Sequence, residues 1–146
     1  PELGGRFGYT PDGSRLDFQS DRGLLDEYLD RVLSCLDDAN APDGKNRLTS
    51  AGAAYALYAP PAGIVKPAGQ WNSTRIIVRG AHVEHWLNGQ KVVQYELWSP
   101  DWEAKVKASK FNDWPNYGRA KRGFFAIQGD HDGVLALRNI KIRPLP

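Results

Sequence analysis

Apolar residues recur along this chain in two rhythms. Leu25, Leu29, Val32 and Leu36 follow one another at spacings of three and four, with Leu24, Tyr28 and Leu33 beside them. That stripe predicts an amphipathic helix over about 22–36, capped by Ser20 or Asp21 and with Asp26 and Glu27 at the positive end of its dipole. From Thr74 the rhythm changes. Thr74–Arg79, His82–Leu87 and Gln90–Glu96 are rich in β-branched and aromatic residues, and the last two flank Asn88-Gly89. An Asn-Gly pair between such runs predicts a type I′ hairpin, whose two central residues need positive φ. In the simplest register Trp86 faces Lys91, His85 faces Val92 and Glu84 faces Val93. Both faces then carry apolar residues, which favours a sandwich over a sheet backed by solvent.

Around these elements the signals are weaker. Residues 1–20 hold a turn at Tyr9-Thr10-Pro11-Asp12-Gly13 between short segments at 6–9 and 15–18. Asp37–Arg47 is a polar loop, and Gly52–Ala59 reads as a strand ended by Pro60-Pro61. Ser99-Pro100-Asp101-Trp102-Glu103 has the order of a helix start, with Trp102 and Val106 on one face of a short helix to about 109. An aromatic and basic loop follows over 110–122. Two final strands are expected at 123–128 and 134–142, joined by Gly129-Asp130-His131-Asp132-Gly133.

Composition narrows the class. The chain has 146 residues with 19 basic and 17 acidic side chains, and the resulting net charge of +2 is far from that of a dedicated nucleic-acid binder. We expect a single domain over 1–146. No apolar run approaches the roughly 18 residues of a membrane span, and no charged-then-apolar leader opens the chain. One cysteine, Cys35, excludes an internal disulfide framework and a cysteine-based zinc site. Fifteen glycines and ten prolines favour a turn-rich, mostly β domain.

Several constellations could carry chemistry. His131 stands between Asp130 and Asp132 in a glycine-flanked loop, where an imidazole can act as acid, base or ligand; it can equally be a solvated loop residue. His82 and His85 are three apart on a strand and point to opposite faces, so this spacing cannot chelate one metal; His85 reads as a packed, hydrogen-bonded histidine. The acidic loop at 37–43 invites calcium, but counting from Asp38 the twelfth position is Thr49 where an EF-hand needs a bidentate Glu. No nucleophile elbow or phosphate loop is present. The basic and aromatic residues of 105–122, Trp114 among them, suit stacking on sugar or nucleotide rings, or a core with a basic rim.

Five ordered stretches are familiar as a set: Trp71-Asn72; Arg75-Ile76-Ile77-Val78-Arg79-Gly80; Val83 through Gly89; Ala126 through His131; and Arg138 through Ile142. Together they resemble the 3-keto-disaccharide hydrolase family, over about Asp37 to Leu145, with residues 1–36 atypical and 37–146 family-like. The resemblance implies a concanavalin A-like jelly-roll β-sandwich, here with an N-terminal helix, one short helix and fewer strands than a complete jelly roll. Either residues 1–36 rebuild the missing edge differently, or a partner chain such as a second copy supplies it, or the chain is a fragment. It further implies cleavage of glycosides already oxidised at C3, and a periplasmic or secreted location. A 3-keto group acidifies the C2 proton, so a base can remove it, the C1 substituent leaves, and water adds. The residues matched for this are His131, Gln128 and Asp130 for catalysis, with His85, Trp114, Arg138 and Asp38 as sugar contacts. A divalent cation could stabilise the enolate. Family members enter the acidic loop from a strand carrying Glu and Gln two residues apart; here those places hold Val32 and Ser34. A non-catalytic carbohydrate-binding module is the alternative, and a nucleic-acid-binding domain a third.

Overall fold

The computed structural model describes residues 42–120 and 136–144. The turn at 9–13, the helix over 22–36 and the strand at 123–128 lie outside the described residues. Within them the architecture is mostly β: a three-stranded antiparallel meander followed by one short helix. Strands β1 (Thr74–Arg79), β2 (His82–Leu87) and β3 (Gln90–Glu96) lie in the order β1-β2-β3.

The β2–β3 turn is built as expected, with Asn88 at φ 50° and Gly89 at φ 82°. The register departs from expectation one step further on. Trp86 faces Lys91, but His85 faces Val93 and Glu84 faces Gln94, so Val92 is an extra residue. This β-bulge breaks the two-residue alternation, and both Val92 and Val93 are buried. The gain is hydrophobic: without the bulge, one of two adjacent valines would face outward.

Helix α1 (Pro100–Ala108) begins as its sequence requires. The Ser99 hydroxyl accepts from the Trp102 amide, Pro100 occupies the first turn, and Asp101 and Glu103 sit at the positive end of the dipole. Trp102 and Val106 are its buried residues. A 3₁₀ turn over Lys110–Asp113 follows, with the Ser109 hydroxyl accepting from the Phe111 amide.

One expected strand does not form, and a second forms no ladder among the described residues. Gly52–Ala59 makes a tight turn instead: the Ala54 amide donates to the Tyr58 carbonyl, and the Leu57 and Tyr58 amides donate to the Ala54 carbonyl. Ala56 at φ 61° closes that turn. Run length and aromatic content suggested extension; the small residues 51–54 let the backbone press on the sheet instead. Of the strand expected at 134–142, the described part (136–142) pairs with no described strand, and Asn139 lies at φ 56°.

The main core gathers Val83, Val93, Tyr95 and Leu97 from the sheet side, Ala54 and Leu57 from the turn, and Trp102, Val106, Phe111 and Tyr117 from the helical side. Tyr117 stacks on Phe111 at 4.0 Å and on Trp102 at 6.0 Å between ring centres. A smaller cluster of Ala51, Leu87 and Val92 lies at the hairpin-turn end, with Ile64 and Val65 against it.

Candidate functional site

Alternation along the strands sorts their side chains onto two faces. Val83, His85, Leu87, Val92, Val93 and Tyr95 face the core. The opposite face carries Arg75, His82, Glu84, Trp86, Lys91, Gln94 and Glu96 as cross-strand neighbours. On it the Trp86 indole donates to Glu84 at 2.7 Å, and Lys91 reaches the other oxygen of the same carboxylate at 3.4 Å. His82 bridges Glu96 through Nδ1 and Glu84 through Nε2, the latter at 3.3 Å. Arg75 lies over the Trp86 ring at 4.4 Å. The hydrogen bonds from Glu96 and then Glu84 hold the His82 pKa above its ordinary value. Those from Trp86, then His82 and Lys91, hold Glu84 below the usual carboxylate range. Both shifts favour the charged forms, imidazolium on His82 and carboxylate on Glu84.

At the hairpin-turn end the chain before β1 is clamped. The Asn88 side chain donates to the Ile64 carbonyl at 2.8 Å and to the Asn72 side-chain oxygen at 2.7 Å, and accepts from the Ser73 amide at 3.0 Å. Asn72 also accepts from the Lys66 amide and donates to its carbonyl. Lys66 Nζ donates to the Trp71 carbonyl at 3.3 Å. This clasp presents Trp71 with 46% of its surface exposed, and Arg138 stacks over the ring at 3.9 Å.

Of the residues singled out in the sequence, Gln128, Asp130, His131 and Asp38 lie outside the described residues. The remaining three occupy different settings. Arg138 is exposed and stacked on Trp71. Trp114 is half-buried, edge-on to Phe111 at 5.3 Å and to Tyr117 at 6.4 Å. It borders a shallow surface depression with Glu103, Lys107 and Arg119. His85, expected as a sugar contact, is instead wholly enclosed: Nδ1 donates to the Gly52 carbonyl at 3.1 Å, and Tyr95 packs edge-on at 5.7 Å. Burial drives its pKa below the ordinary value, so the ring is neutral. The packed reading of His85 is the one the geometry supports, because residues 51–54 cover that face of β2. The opposite-face argument for His82 and His85 holds.

The aromatic and basic loop is organised inward as well. Phe111 and Tyr117 are core residues. Arg119 makes a two-pronged ion pair with Glu103 at 2.6 and 2.8 Å, and Lys105 pairs with Asp101 at 3.5 Å. Among the described residues no group of three His, Cys, Asp or Glu could hold a metal ion. No described helix is long and apolar enough to cross a membrane.

Sequence reasoning missed the Lys66–Trp71 clasp as a functional feature. Its signal was Trp71-Asn72 directly before a strand and Asn88 at the turn that the strand pairs toward.

Comparison with known proteins decides the family. Residues 32–143 match the model of the 3-keto-alpha-glucoside-1,2-lyase-like domain. The chain belongs to this family. Among curated proteins, this lyase-like chain is 32% identical over 123 residues to a 3-keto-disaccharide hydrolase of Bacteroides thetaiotaomicron. That alignment covers 75% of this chain and 42% of the relative, so the chain spans less than half of the protein it matches. Among solved structures, a Parabacteroides distasonis protein described as a glycosyl hydrolase superposes with a TM-score of 0.50 at 35% identity. There the match covers 53% of this chain and 36% of the other. The lyase-like domain thus takes in all three strands, α1, the clasp and the 126–131 stretch.

Proposed function

We propose that this domain cleaves 3-keto-glycosides by elimination and hydration. The family match over 32–143, which contains Gln128, Asp130, His131 and Arg138, carries the reading. His131 removes the C2 proton, whose acidity comes from the neighbouring ketone; the electron pair forms the C1–C2 double bond as the C1–O bond breaks. Asp130 raises the basicity of His131. Gln128 donates to the enolate oxygen. The departing oxygen takes up a proton. Water then adds its oxygen at C1 and a proton at C2, so the net change is addition of one water across the glycosidic bond. Arg138, Trp114 and Asp38 contact the sugar, and the enclosed His85 supports the sheet beneath it. The reading carries with it a single domain of the concanavalin A-like jelly-roll type, a second copy completing the sheet edge, and a periplasmic or secreted location.

The test is aglycone release from a 3-keto-β-glucoside in deuterated water, with the unoxidised glucoside as control. Release from the keto sugar alone, with deuterium at C2, is expected. His131→Ala should then lower the rate by about 10²–10⁴-fold. Folded protein that releases nothing, or releases without C2 exchange, overturns the reading.

A further inference from the structure

We propose that Trp71, Lys66 and Arg138 form a subsite for an anionic sugar ring, a hexuronate being the simplest occupant. The inference rests on the reading of this domain as one that handles sugars, and it names a substrate class for it. Trp71 is among the most exposed large apolar residues described, and the clasp from Asn72 and Asn88 to residues 64–66 holds its loop against the hairpin. The Arg138 guanidinium covers one face of the ring, and the rest of the exposed indole suits the C–H face of a pyranose. Two cations contact this residue: the Arg138 guanidinium lies over its ring, and the Lys66 ammonium donates to its backbone carbonyl.

Charge then selects among sugars. The other described cations near carboxylates are used: Lys91 on Glu84, Lys105 on Asp101 and Arg119 on Glu103. Neither Lys66 nor Arg138 has a carboxylate partner among the described residues. A guanidinium stacked on an aromatic face keeps its N–H edge available for two-pronged binding of a carboxylate. A neutral hexose would use the ring alone; a hexuronate would in addition offer a carboxylate to the cations beside it.

The experiment follows the indole N–H signals of the ¹⁵N-labelled chain during titration with methyl β-glucuronide, methyl β-glucoside and sodium sulfate. The Trp71 signal is assigned by its loss in Trp71→Phe. We expect it to move with glucuronide at a Kd at least tenfold below that for glucoside, and to stay still with sulfate. Arg138→Gln should bring glucuronide binding to the glucoside level, and in Trp71→Ala neither glycoside should move the backbone amide signals of residues 66–73. Equal affinity for the two glycosides, equal weakening of both by Arg138→Gln, or a sulfate response matching glucuronide would overturn the proposal. The remaining amide signals report whether each variant is folded, and Trp71→Phe keeps a ring where Trp71→Ala disturbs the loop. Binding is read without turnover, so failure here is distinct from failure to cleave a neutral 3-keto-glucoside.

Discussion

Gly118→Ala should be among the most damaging one-carbon changes available to this chain. Gly118 has φ +71°, and a Cβ there would lie 2.3 Å from Cη2 and 2.4 Å from Cζ2 of Trp102. The indole cannot yield easily: it is wholly buried, with Tyr117 stacked near it and the Arg119 guanidinium 5.3 Å from its ring centre. Carbon contacts settle near 3.5–4.0 Å, so ring and backbone must part by more than ~1 Å. Overpacking of this kind costs about 1–3 kcal/mol, and a left-handed alanine adds roughly 1 kcal/mol. The sum, about 2–4 kcal/mol, is a large share of the ~5–15 kcal/mol that holds a domain together. With a mid-range urea m-value of ~2 kcal/mol/M, the midpoint should fall by about 1–2 M. Gly63→Ala is the control: it has φ +78° with nothing within 4 Å of the added carbon, so it bears only the backbone strain. Equal midpoints for the two variants would refute the argument, because the ring contact would then cost nothing.

Three further outcomes follow from hydrogen bonding and charge. The folded-state pKa of His82 is raised, so its contribution to stability is complete below the unfolded value of ~6.5 and fades as pH rises through the folded one. Urea midpoints of the wild type and His82→Gln should therefore converge between mildly acidic and mildly alkaline pH; a gap that widens with pH refutes this. His85 has the opposite sign: its pKa is lowered, so it favours the native state above ~6.5 and penalises it as pH falls. In an NMR titration its imidazole should titrate below the ~6.5 of a free histidine, and a midpoint above that refutes the reading. Asn88→Asp removes both donors of the clasp and sets a carboxylate against the Ile64 carbonyl and the Asn72 oxygen. We expect a loss of about 1–3 kcal/mol and faster amide exchange at residues 64–73, where unchanged exchange would rule out the clasp as what holds that loop.

The parts legible in the sequence are those whose signals are local. Asn88-Gly89 demands positive φ whatever surrounds it, and Ser99-Pro100 caps a helix through its own first turn; both elements stand where expected. The parts that were not legible depend on a partner distant in the chain. Nothing near Val92 marks a bulge, because what rewards it is Ala51 and Leu87 on one side and the larger core on the other. Residues 52–59 have a strand's composition but are bent by contact with β2, which the local sequence does not encode. His85 was ambiguous for the same reason. Whether it meets substrate or backbone is decided by Gly52, 33 positions earlier. Arg138 beside Trp71 joins residues far apart in sequence, and its resemblance to a family position suggested importance without suggesting that partner.

The bulge in β3 has a consequence for how the molecule comes apart. Because Val92 and Val93 both point inward, one strand feeds two separate cores: Val93 the ten-residue cluster under α1, and Val92 the three-residue cluster under the 64–73 loop. The second is small and leans on the clasp, so it should open at lower free energy than the first, as a cooperative unit of its own. The loop that carries Trp71 can then detach and reseat while the helix end stays closed. Ligand entry at that end would proceed by local release, with β3 as the fixed axis that both halves share.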